Sequence, residues 1–402
     1  MSTDKNDALL RVEHLSMYFG KPGQWKKAVN DVTFDIKKGE IFGLVGESGC
    51  GKTTTGRTMI RLYDATGGSV YFKGHRVVAG WQTYKEEIKE QKKLIKKLQE
   101  SGDSAGVKEA EQKIEQLQEE IKKAKYDHKH YNDIFQKEEL ERVEKEYQDA
   151  LKTAPESEKA ALRKKYLHDK NVARHSKMIT KIQMIYQDPV ASLDPRMTVR
   201  EIIAEGLKIQ GVTDKEYIDK KVYEMLDLVG LVEEHAGRYP HEFSGGQRQR
   251  IGIARSIIMN PEVIIADEPI SALDVSIRAQ VINLLNDLRE SMGLTIMFIA
   301  HDLSVVKYFS DRIGVMYYGN LVELTTSDEL FAHPTHPYTK SLLSAIPVPD
   351  PETEKNRVRI RYNPLTDHEY TTEEPQLREI VPGHFVRCTQ KEFDKYCAEY
   401  NK

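Results

Sequence analysis

The sequence predicts an α/β fold with a sheet of buried strands and a phosphate-binding loop. Three nearly continuous apolar runs are typical of buried strands and alternate with helical patterns. They are "EIFGLVG" at 40–46, "EVIIAD" at 262–267 and "LTIMFIAH" at 294–301. The first run leads directly into "GESGCGKT" at 46–53, which matches the glycine-rich phosphate loop that opens a helix. This alternation of helix and buried strand indicates an α/β sheet.

Length and composition limit the function classes. The 402 residues leave room for two domains, or for one large domain with additions. The net charge of −3 favours no nucleic-acid partner. No apolar run approaches the roughly 20 residues that a membrane span needs. The opening "MSTDKNDALL" lacks the hydrophobic region of a signal peptide. We therefore expect a protein on the cytoplasmic side, which meets a membrane only through a partner.

The remaining elements follow from local patterns. "DVTFDI" at 31–36 alternates apolar and polar residues, as a half-buried strand does, and a helix is expected from Gly51. A turn and a further strand follow from 67. After 181 the pattern predicts a strand and turn in "KIQMIYQDP", then helices over 197–210, 215–229 and 276–290. The chain becomes proline-rich after about 325, and little is predicted for 351–402.

Residues 81–180 form a charged insertion, in which 44 of the 100 residues are Asp, Glu, Lys or Arg with nearly balanced signs. Residues at alternating spacings of three and four, all apolar except Gln91, run from Trp81 to Leu98 and again from Val107 to Ala124. The turn "SGDSAG" separates the two runs, so we expect an antiparallel helical hairpin of the coiled-coil type. A third helical stretch is expected over 140–150. The insertion is either a solvated addition or a docking arm. It should project from the flank as a self-contained unit that nucleotide binding does not need.

The phosphate loop carries the first part of the chemistry. Gly46, Gly49 and Gly51 allow the backbone to wrap a polyphosphate without Cβ clashes. Lys52 can place its charge between the β- and γ-phosphates, and the Thr53 hydroxyl is a Mg²⁺ ligand. The predicted nucleotide contacts also include the loop residues between and after these, Glu47, Ser48, Cys50 and Thr54.

Polar residues after three further strands supply the second part. Asp267 can hold the metal, and Glu268 can orient and deprotonate an attacking water. His301, at the end of the next buried strand, can hydrogen-bond the γ-phosphate and that water. Gln187, in "YQDP", can meet both Mg²⁺ and the nucleophile, although an ordinary turn glutamine would look the same.

A second helix start also suits an anion. In "FSGGQRQRIGIARS" at 243–256, a serine and two glycines open a helical pattern. Exposed backbone N–H groups, the helix dipole and a small hydroxyl all favour a phosphate there. One chain with one phosphate loop therefore has two helix starts suited to phosphate.

Six motifs in fixed order make the sequence similar to the ATPase subunits of ABC transporters: "GESGCGKTT", "YQDP", "SGGQ", "IIADEP", "SALD" and "IAHD". The resemblance covers roughly 9–78 and 180–325. It implies an ABC-type P-loop ATPase with a RecA-like core, an antiparallel β lobe and a helical signature subdomain. It also implies two subunits stacked head to tail, so that one subunit's signature residues cap the partner's ATP. These are Ser244, Gly245, Gly246 and Gln247, with Asp274 crossing the interface; Phe19, or failing it Tyr18, would stack on the adenine.

The tail gives a finer resemblance. "HPTHPYTKSLLSAIPVPDP" at 333–351 and "VPGHFVRC" at 381–388 are similar to the oligopeptide/dipeptide importer ATPases, closest to the F-type subunits. That resemblance implies ATP and Mg²⁺, a second, related ATPase, two membrane permease subunits and, indirectly, an extracellular peptide-binding protein. Members of the group often carry a four-cysteine iron–sulfur site. This chain has only Cys388 in the matching context, with Cys397 isolated, so we expect no cluster.

We therefore expect an ABC ATPase domain over 1–80 and 178–325, a charged helical insertion over 81–177 and a C-terminal extension over 326–402. The function expected is ATP hydrolysis that energises peptide import. The alternative is a soluble ABC ATPase that acts on ribosomes or DNA through its helical arm. The cargo cannot be read from the sequence, because the cargo does not touch this subunit.

Overall fold

The computed structural model describes residues 8–21, 24–346, 359–368 and 373–400. Its smaller sheet is an antiparallel lobe in the order β2-β1-β4-β5. The two long strands of this lobe, β1 and β2, pair over most of their length, and β4 pairs with the other side of β1. The strands are β1 Ala8–Lys21, β2 Gln24–Lys37, β4 Gly67–Phe72 and β5 His75–Ala79.

The larger sheet forms the centre of the protein, with eight strands in the described part, in the order β11-β12-β10-β9-β3-β8-β7-β6. Its inner strands are parallel, and β10, β12 and β11 extend it in antiparallel fashion. The parallel strands are β3 Ile41–Val45, β6 Ile182–Ile185, β7 Val263–Asp267, β8 Thr295–Ala300 and β9 Arg312–Tyr317; the others are β10 Asn320–Thr326, β11 Gln376–Val381 and β12 His384–Cys388. The expected α/β architecture is confirmed.

Two apolar cores lie on opposite faces of this sheet. Because successive strand residues point to opposite faces, β3 sends Ile41 and Val45 into one core and Phe42 and Leu44 into the other. The first core lies under the helices, and the second lies under the antiparallel lobe. Phe34 of the lobe stacks on Phe42 with ring centroids 4.9 Å apart. The lobe is thus packed directly against the strand that leads into the phosphate loop.

The helices outside the insertion lie close to where the sequence places them. Three of them, α5, α6 and α7, pack together as the helical subdomain. A threonine and an aspartate cap the first two, Thr198 through a capping box and Asp214 through two backbone N–H groups. The bounds are α1 Lys52–Met59, α5 Val199–Ile209, α6 Lys215–Leu228, α7 Gly245–Ile257, α8 Val275–Met292, α9 Leu303–Phe309, α10 Ser327–Ala332, α11 Pro337–Ser344 and α12 Gln390–Tyr400.

The insertion contains the expected hairpin, but its second helix is longer than predicted. Helix α2 Gln82–Ser101 turns through Gly102 into α3 Ser104–Thr153, and α4 Lys159–His175 then returns along α3. The expectation of a separate third stretch over 140–150 is wrong, since those residues belong to the 50-residue α3. No glycine or proline interrupts the chain between Val107 and Ala154, so nothing ends the helix there.

The middle of α3 docks on the ATPase core. Phe135 is buried in the core beneath the antiparallel lobe, and Tyr131 packs beside it. The Arg61 guanidinium, just after α1, lies 4.4 Å from the Tyr131 ring centroid. The Asn132 side chain accepts the backbone N–H of Met178 at 3.0 Å. The expectation of a self-contained arm is therefore wrong in this respect. That nucleotide binding does not need the arm stays a prediction.

The C-terminal part is continuous with the core sheet, because β12 pairs with β10. Cys388 and Cys397 pack with Ile380 and Tyr396 in a small apolar cluster. Burial raises the pKa of the Cys388 thiol to about 12. Residues 347–351 of the tail motif lie outside the described residues. Among the helices of the described part, none has the length and apolarity to cross a membrane.

Candidate active site

Four parallel strands end at the same edge of the central sheet, and each is followed by a predicted site residue. Strands β3, β6, β7 and β8 run parallel to one another, so their carboxyl ends line one edge. Gly46 follows β3, Gln187 lies just after β6, Glu268 follows β7 and His301 follows β8. Ligands of open α/β sheets bind at such an edge, which makes this the candidate active site.

The phosphate loop can be built only with glycine at two positions. Gly46 has a φ of +147°, and an added Cβ there would lie 2.2 Å from the Met316 carbonyl oxygen. Gly51 has a φ of +109°, and its Cβ would lie 2.2 Å from the Ala28 carbonyl oxygen. Both contacts are with backbone, which cannot move aside. The loop is therefore fitted closely between β2 and the end of β9.

Lys52 starts α1 and folds back over its own loop. Its Nζ donates to the carbonyl oxygens of Gly46 at 2.7 Å and Glu47 at 2.9 Å, and its side chain is buried. Cys50 is buried in the same loop, and burial raises the pKa of its thiol. Glu47, Ser48 and Gly49 are exposed at the rim, and Thr54 is half-buried in α1.

Thr53 and Asp267 meet at the predicted metal site. The Thr53 hydroxyl donates to Asp267 Oδ1 at 2.7 Å, and the Asp267 side chain has 0% exposure. Asp267 Oδ2 has no hydrogen-bond partner in the described part of the chain; its nearest cation is Arg57, at 4.0 Å. Burial raises the pKa of Asp267. A buried carboxylate oxygen without a hydrogen bond, beside a hydroxyl, fits a Mg²⁺ ion, which prefers oxygen ligands.

Glu268 is held between Gln187 and His301. Gln187 Nε2 donates to Glu268 Oε2 at 3.1 Å, and His301 Nδ1 lies 3.0 Å from the same oxygen. Both bonds use Oε2, which leaves Oε1 to accept a proton from water. The Glu268 backbone has a φ of +45°, a left-handed conformation that non-glycine residues rarely adopt. Such local strain is typical of functional sites.

The signature residues lie at the start of α7 and face outward. Ser244 and Gly245 are exposed. The Ser244 hydroxyl accepts the Gln247 backbone N–H at 3.3 Å, and the Gln247 side chain accepts the Ser244 N–H at 3.0 Å. No hydrogen bond joins Ser244 or Gln247 to the phosphate loop within the described ranges. Asp274 is the N-cap residue of α8, and its exposed side chain makes no capping hydrogen bond.

The predicted adenine-stacking residue is exposed at the end of β1. Phe19 has 39% exposure and meets the Tyr63 ring edge-on at 5.5 Å. Tyr18 donates its hydroxyl to Asn30, and its ring lies 6.3 Å from Trp25. The nearby β2 backbone at Ala28 borders Gly51 of the phosphate loop. Phe19 therefore keeps an exposed ring at the end of the lobe, as base stacking requires.

The sequence analysis missed two residues that touch this site. Arg57, one turn into α1, faces Asp267 from within the same helix that carries Lys52. Its place after the phosphate loop was the available signal. Tyr338 accepts the backbone N–H of Glu47 at 3.0 Å. It lies in the "HPYT" segment, whose resemblance to the importer ATPases implies no role for this residue.

Three features together define an ATP-binding cassette. They are the phosphate loop, the acidic pair that follows a buried strand, and the exposed, capped N-terminus of α7. The family model described as "ABC transporter" matches residues 29–149 and 150–271. The chain belongs to the ABC transporter family, and it binds and hydrolyses ATP. A second family model, "Oligopeptide/dipeptide transporter, C-terminal region", matches residues 322–373.

Curated relatives match almost the whole chain. The oligopeptide transport ATP-binding protein OppF of Bacillus subtilis is 47% identical over 97% of this chain and 99% of its own length. The dipeptide transport ATP-binding protein DppF of Lactococcus lactis is 42% identical over 96% of both chains.

Solved structures share the fold at low sequence identity. They include cbiO1 of Clostridium perfringens, with a TM-score of 0.51 and 20% identity over 81% of this chain and 92% of that one. A dimeric cassette, MJ0796, bound to ADP and Pi, has a TM-score of 0.50 and 21% identity over 79% of this chain and 98% of that one.

Proposed function

We propose that this chain is the ATPase subunit that energises peptide import through a membrane ABC permease. The observation that carries the proposal is the cluster of Gln187, Glu268 and His301 beside the Thr53–Asp267 pair at the edge of the central sheet. The names of the full-length relatives, which are oligopeptide and dipeptide transport proteins, support peptide cargo.

In the proposed reaction, Glu268 acts as the general base on a water that attacks the γ-phosphate. Gln187 and His301 hold its Oε2, which orients Oε1 toward that water. Thr53, Asp267 and Gln187 would hold Mg²⁺, which neutralises phosphate charge when bound. Lys52 leaves its loop carbonyls for the β- and γ-phosphates, and the loop residues from Gly46 to Thr54 surround them. Phe19 stacks on the base.

We propose that a partner's signature helix completes each site. Ser244 and Gly245 are exposed, and neither Ser244 nor Gln247 makes a hydrogen bond to the phosphate loop in the described ranges. With Gly246, these residues would meet the γ-phosphate bound by the partner, and Asp274 would lie at the interface. The F-type character of the tail favours a related but different ATPase as that partner. Co-purification of the native complex tests the pairing. Recovery of two copies of this chain without a second ATPase would reject it.

The Gln187 loop is the proposed contact with the permease. An open groove of about 720 Å³ lies between this loop and α5, lined by residues that include Gln187, Ala191, Ile209 and Met259. Ile209 has 70% exposure at the end of α5. An exposed apolar residue that lines the same groove as Gln187 suits an amphipathic helix of the permease. Such docking would place the chain at the cytoplasmic face of the membrane.

The docking proposal is tested with a matched pair of variants. Ile209→Asp should prevent co-purification with the permease while leaving ATP binding unchanged. Val232→Asp changes a residue of 55% exposure outside the groove and should keep the complex intact. Equal recovery of permease with both variants would place the contact elsewhere.

Transport itself is tested in vesicles that contain the permease subunits, both ATPases and the peptide-binding protein. Labelled peptides should accumulate only with Mg-ATP, and Glu268→Gln should stop both accumulation and hydrolysis. ATP hydrolysis without uptake of any peptide in a panel of lengths and charges would reject peptide import. The same panel, used in a deletion strain, identifies the cargo.

A further inference from the structure

A tyrosine far along the chain forms a hydrogen bond to the phosphate loop. The Tyr338 hydroxyl accepts the backbone N–H of Glu47 at 3.0 Å, across 291 residues of sequence. Tyr338 has 2% exposure and lies on α11. Its ring packs against those of Tyr317 at 4.5 Å and Tyr362 at 5.6 Å. Tyr338 takes no part in the proposed hydrolysis reaction.

The hydrogen bond to Tyr338 holds the N–H side of the peptide unit between Gly46 and Glu47. Lys52 holds the carbonyl side of the same unit. The N–H of Glu47 and the carbonyl of Gly46 belong to the same peptide plane, and they point in opposite directions in a trans peptide. Lys52 Nζ donates to that carbonyl at 2.7 Å. When Lys52 turns to the phosphates, the bond to Tyr338 remains and keeps the peptide from rotating. The N–H that Tyr338 accepts is directed away from the loop interior, so the bond takes no donor from the phosphates.

Tyr338 is itself fixed by a buried network. His336 Nδ1 accepts the Tyr338 backbone N–H at 3.1 Å, and burial lowers the pKa of His336 well below its usual value, which keeps the ring neutral. The backbone N–H groups of Thr335 and His336 donate to the Glu323 carboxylate at 2.8 and 3.0 Å. His384 of β12 reaches the same carboxylate at 2.8 Å. The network connects the C-terminal hairpin to the phosphate loop.

We propose that Tyr338 is a positioning residue of the ATP site. Its hydroxyl holds the Gly46–Glu47 peptide in the orientation that receives nucleotide, so the segment after β10 supports the phosphate loop. Tyr338→Phe removes only the oxygen and leaves the Glu47 N–H without its acceptor. The loop then occupies further orientations, and nucleotide affinity falls. This role rests on the phosphate loop being the ATP site.

The test uses the purified full-length chain and equilibrium binding of Mg-ATP. Tyr338→Phe should raise Kd about 3- to 10-fold, the range expected for one neutral hydrogen bond. Tyr362→Phe is the matched control, because its ring lies in the same aromatic cluster while its hydroxyl makes no bond to the loop in the described structure. It should change Kd less than about 2-fold. In the assembled transporter, Tyr338→Phe should raise KM for ATP with kcat nearly unchanged, a split that general destabilisation does not produce.

Hydrogen exchange of the wild-type chain supplies a measurement that needs no variant. The Glu47 amide should exchange more slowly than the Ser48 amide, which makes no hydrogen bond within the described ranges. Equal exchange of the two amides, or equal Kd values for Tyr338→Phe and wild type, would overturn the role of Tyr338. If the wild-type chain itself fails to bind Mg-ATP, the proposed site fails first, and the two failures are thereby distinguished.

Discussion

The N-termini of α1 and α7 are both suited to bind an anion, but the residues that surround them differ. At α1 the chain brings a lysine, a hydroxyl and an acidic pair around the loop, and Tyr338 supports the loop from outside. At α7 it supplies backbone N–H groups and the capping pair of Ser244 and Gln247. The N-terminus of α1 therefore has most of the groups that bind a nucleotide, whereas the N-terminus of α7 has only part of a binding site. A second subunit is the simplest source of the missing half.

The two N-termini also differ in charge. Lys52 is the first residue of α1, whereas α7 opens with two glycines and a glutamine. Arg248, the first charged residue of α7, turns its guanidinium back to the Pro240 carbonyl at 2.8 Å. Attraction of a phosphate by α7 therefore depends on the helix dipole, equivalent to about half a charge. Substitutions at the two N-termini should have different consequences.

The largest expected effect comes from a substitution in the ATP site at the N-terminus of α1. Glu268→Gln keeps the size of the side chain and one acceptor oxygen for Gln187 and His301, but the amide cannot take a proton. Turnover in the assembled transporter should fall about 10²- to 10⁴-fold, while ATP binding by the purified chain stays unchanged. Single-turnover hydrolysis and equilibrium binding measure the two quantities. Turnover within about 10-fold of wild type would exclude Glu268 as the base.

Substitutions of Gly245 test the N-terminus of α7, because a side chain at this position does not disturb the fold of its own subunit. A Cβ there would lie 3.8 Å from Leu273, an ordinary contact, whereas one at Gly246 would lie 2.6 Å from Ile277. Gly245→Asp places a negative charge where the partner's γ-phosphate is expected, so hydrolysis should fall about 10²-fold. Gly245→Asn is the uncharged control of the same shape and should lose far less. ATP binding by the isolated chain should be normal for both. Weaker binding would mean that α7 serves its own loop.

Thr53 tests whether the N-terminus of α1 holds the metal. Thr53→Val removes the hydroxyl that bonds Asp267, and Thr53→Ser retains it. The valine variant should need about 10-fold more Mg²⁺ for half-maximal hydrolysis, with the serine variant close to wild type. A magnesium titration at saturating ATP measures this. The same requirement for all three proteins would place the metal on other ligands.

The smallest effect concerns stability without nucleotide. Burial raises the pKa of Asp267 above its unfolded value, so the folded state holds that proton more tightly. Its contribution is fully present below the unfolded pKa and is lost as pH rises through the folded pKa. Asp267→Asn cannot ionise, so near neutral pH it should raise Tm by on the order of 2 °C. Thermal unfolding from about pH 4 to about pH 8 should show the difference growing with pH. A lower Tm for the variant at neutral pH would contradict this.

The sequence predicted what depends on local pattern. The phosphate loop, Asp267 and Glu268 are set by a strand and the turn that follows it, so short motifs identify them. The contacts of Gln187 and His301 with Glu268 could be expected only because parallel strands end together. The bond from Tyr338 to Glu47 joins residues 291 positions apart, and no periodicity encodes it.

The insertion shows a different reason for an incomplete prediction. The stripes on either side of residues 125–139 were visible, but the docked middle of α3 places Tyr131 and Phe135 toward the core. Tyr131 and Phe135 continue the first stripe, seven and eleven residues after Ala124. Only the later stripe, from Leu140, lies on a different face of α3, and this shift looks like a new helix when only the stripes are followed. The absence of glycine and proline from 107 to 154 was the better signal.

Helix α3 has a mechanical consequence. At 1.5 Å per residue its 50 residues span about 75 Å. Its middle is docked beside β5, and the turns to α2 and α4 lie at opposite ends. Because α3 is docked at its middle, a tilt of the helix moves its two ends in opposite directions. A tilt of about 5° displaces each end by about 3 Å, given arms of roughly 35 to 40 Å. With α2 along one half and α4 along the other, bending is resisted. A small rotation of the antiparallel lobe is thus enlarged at two distant points.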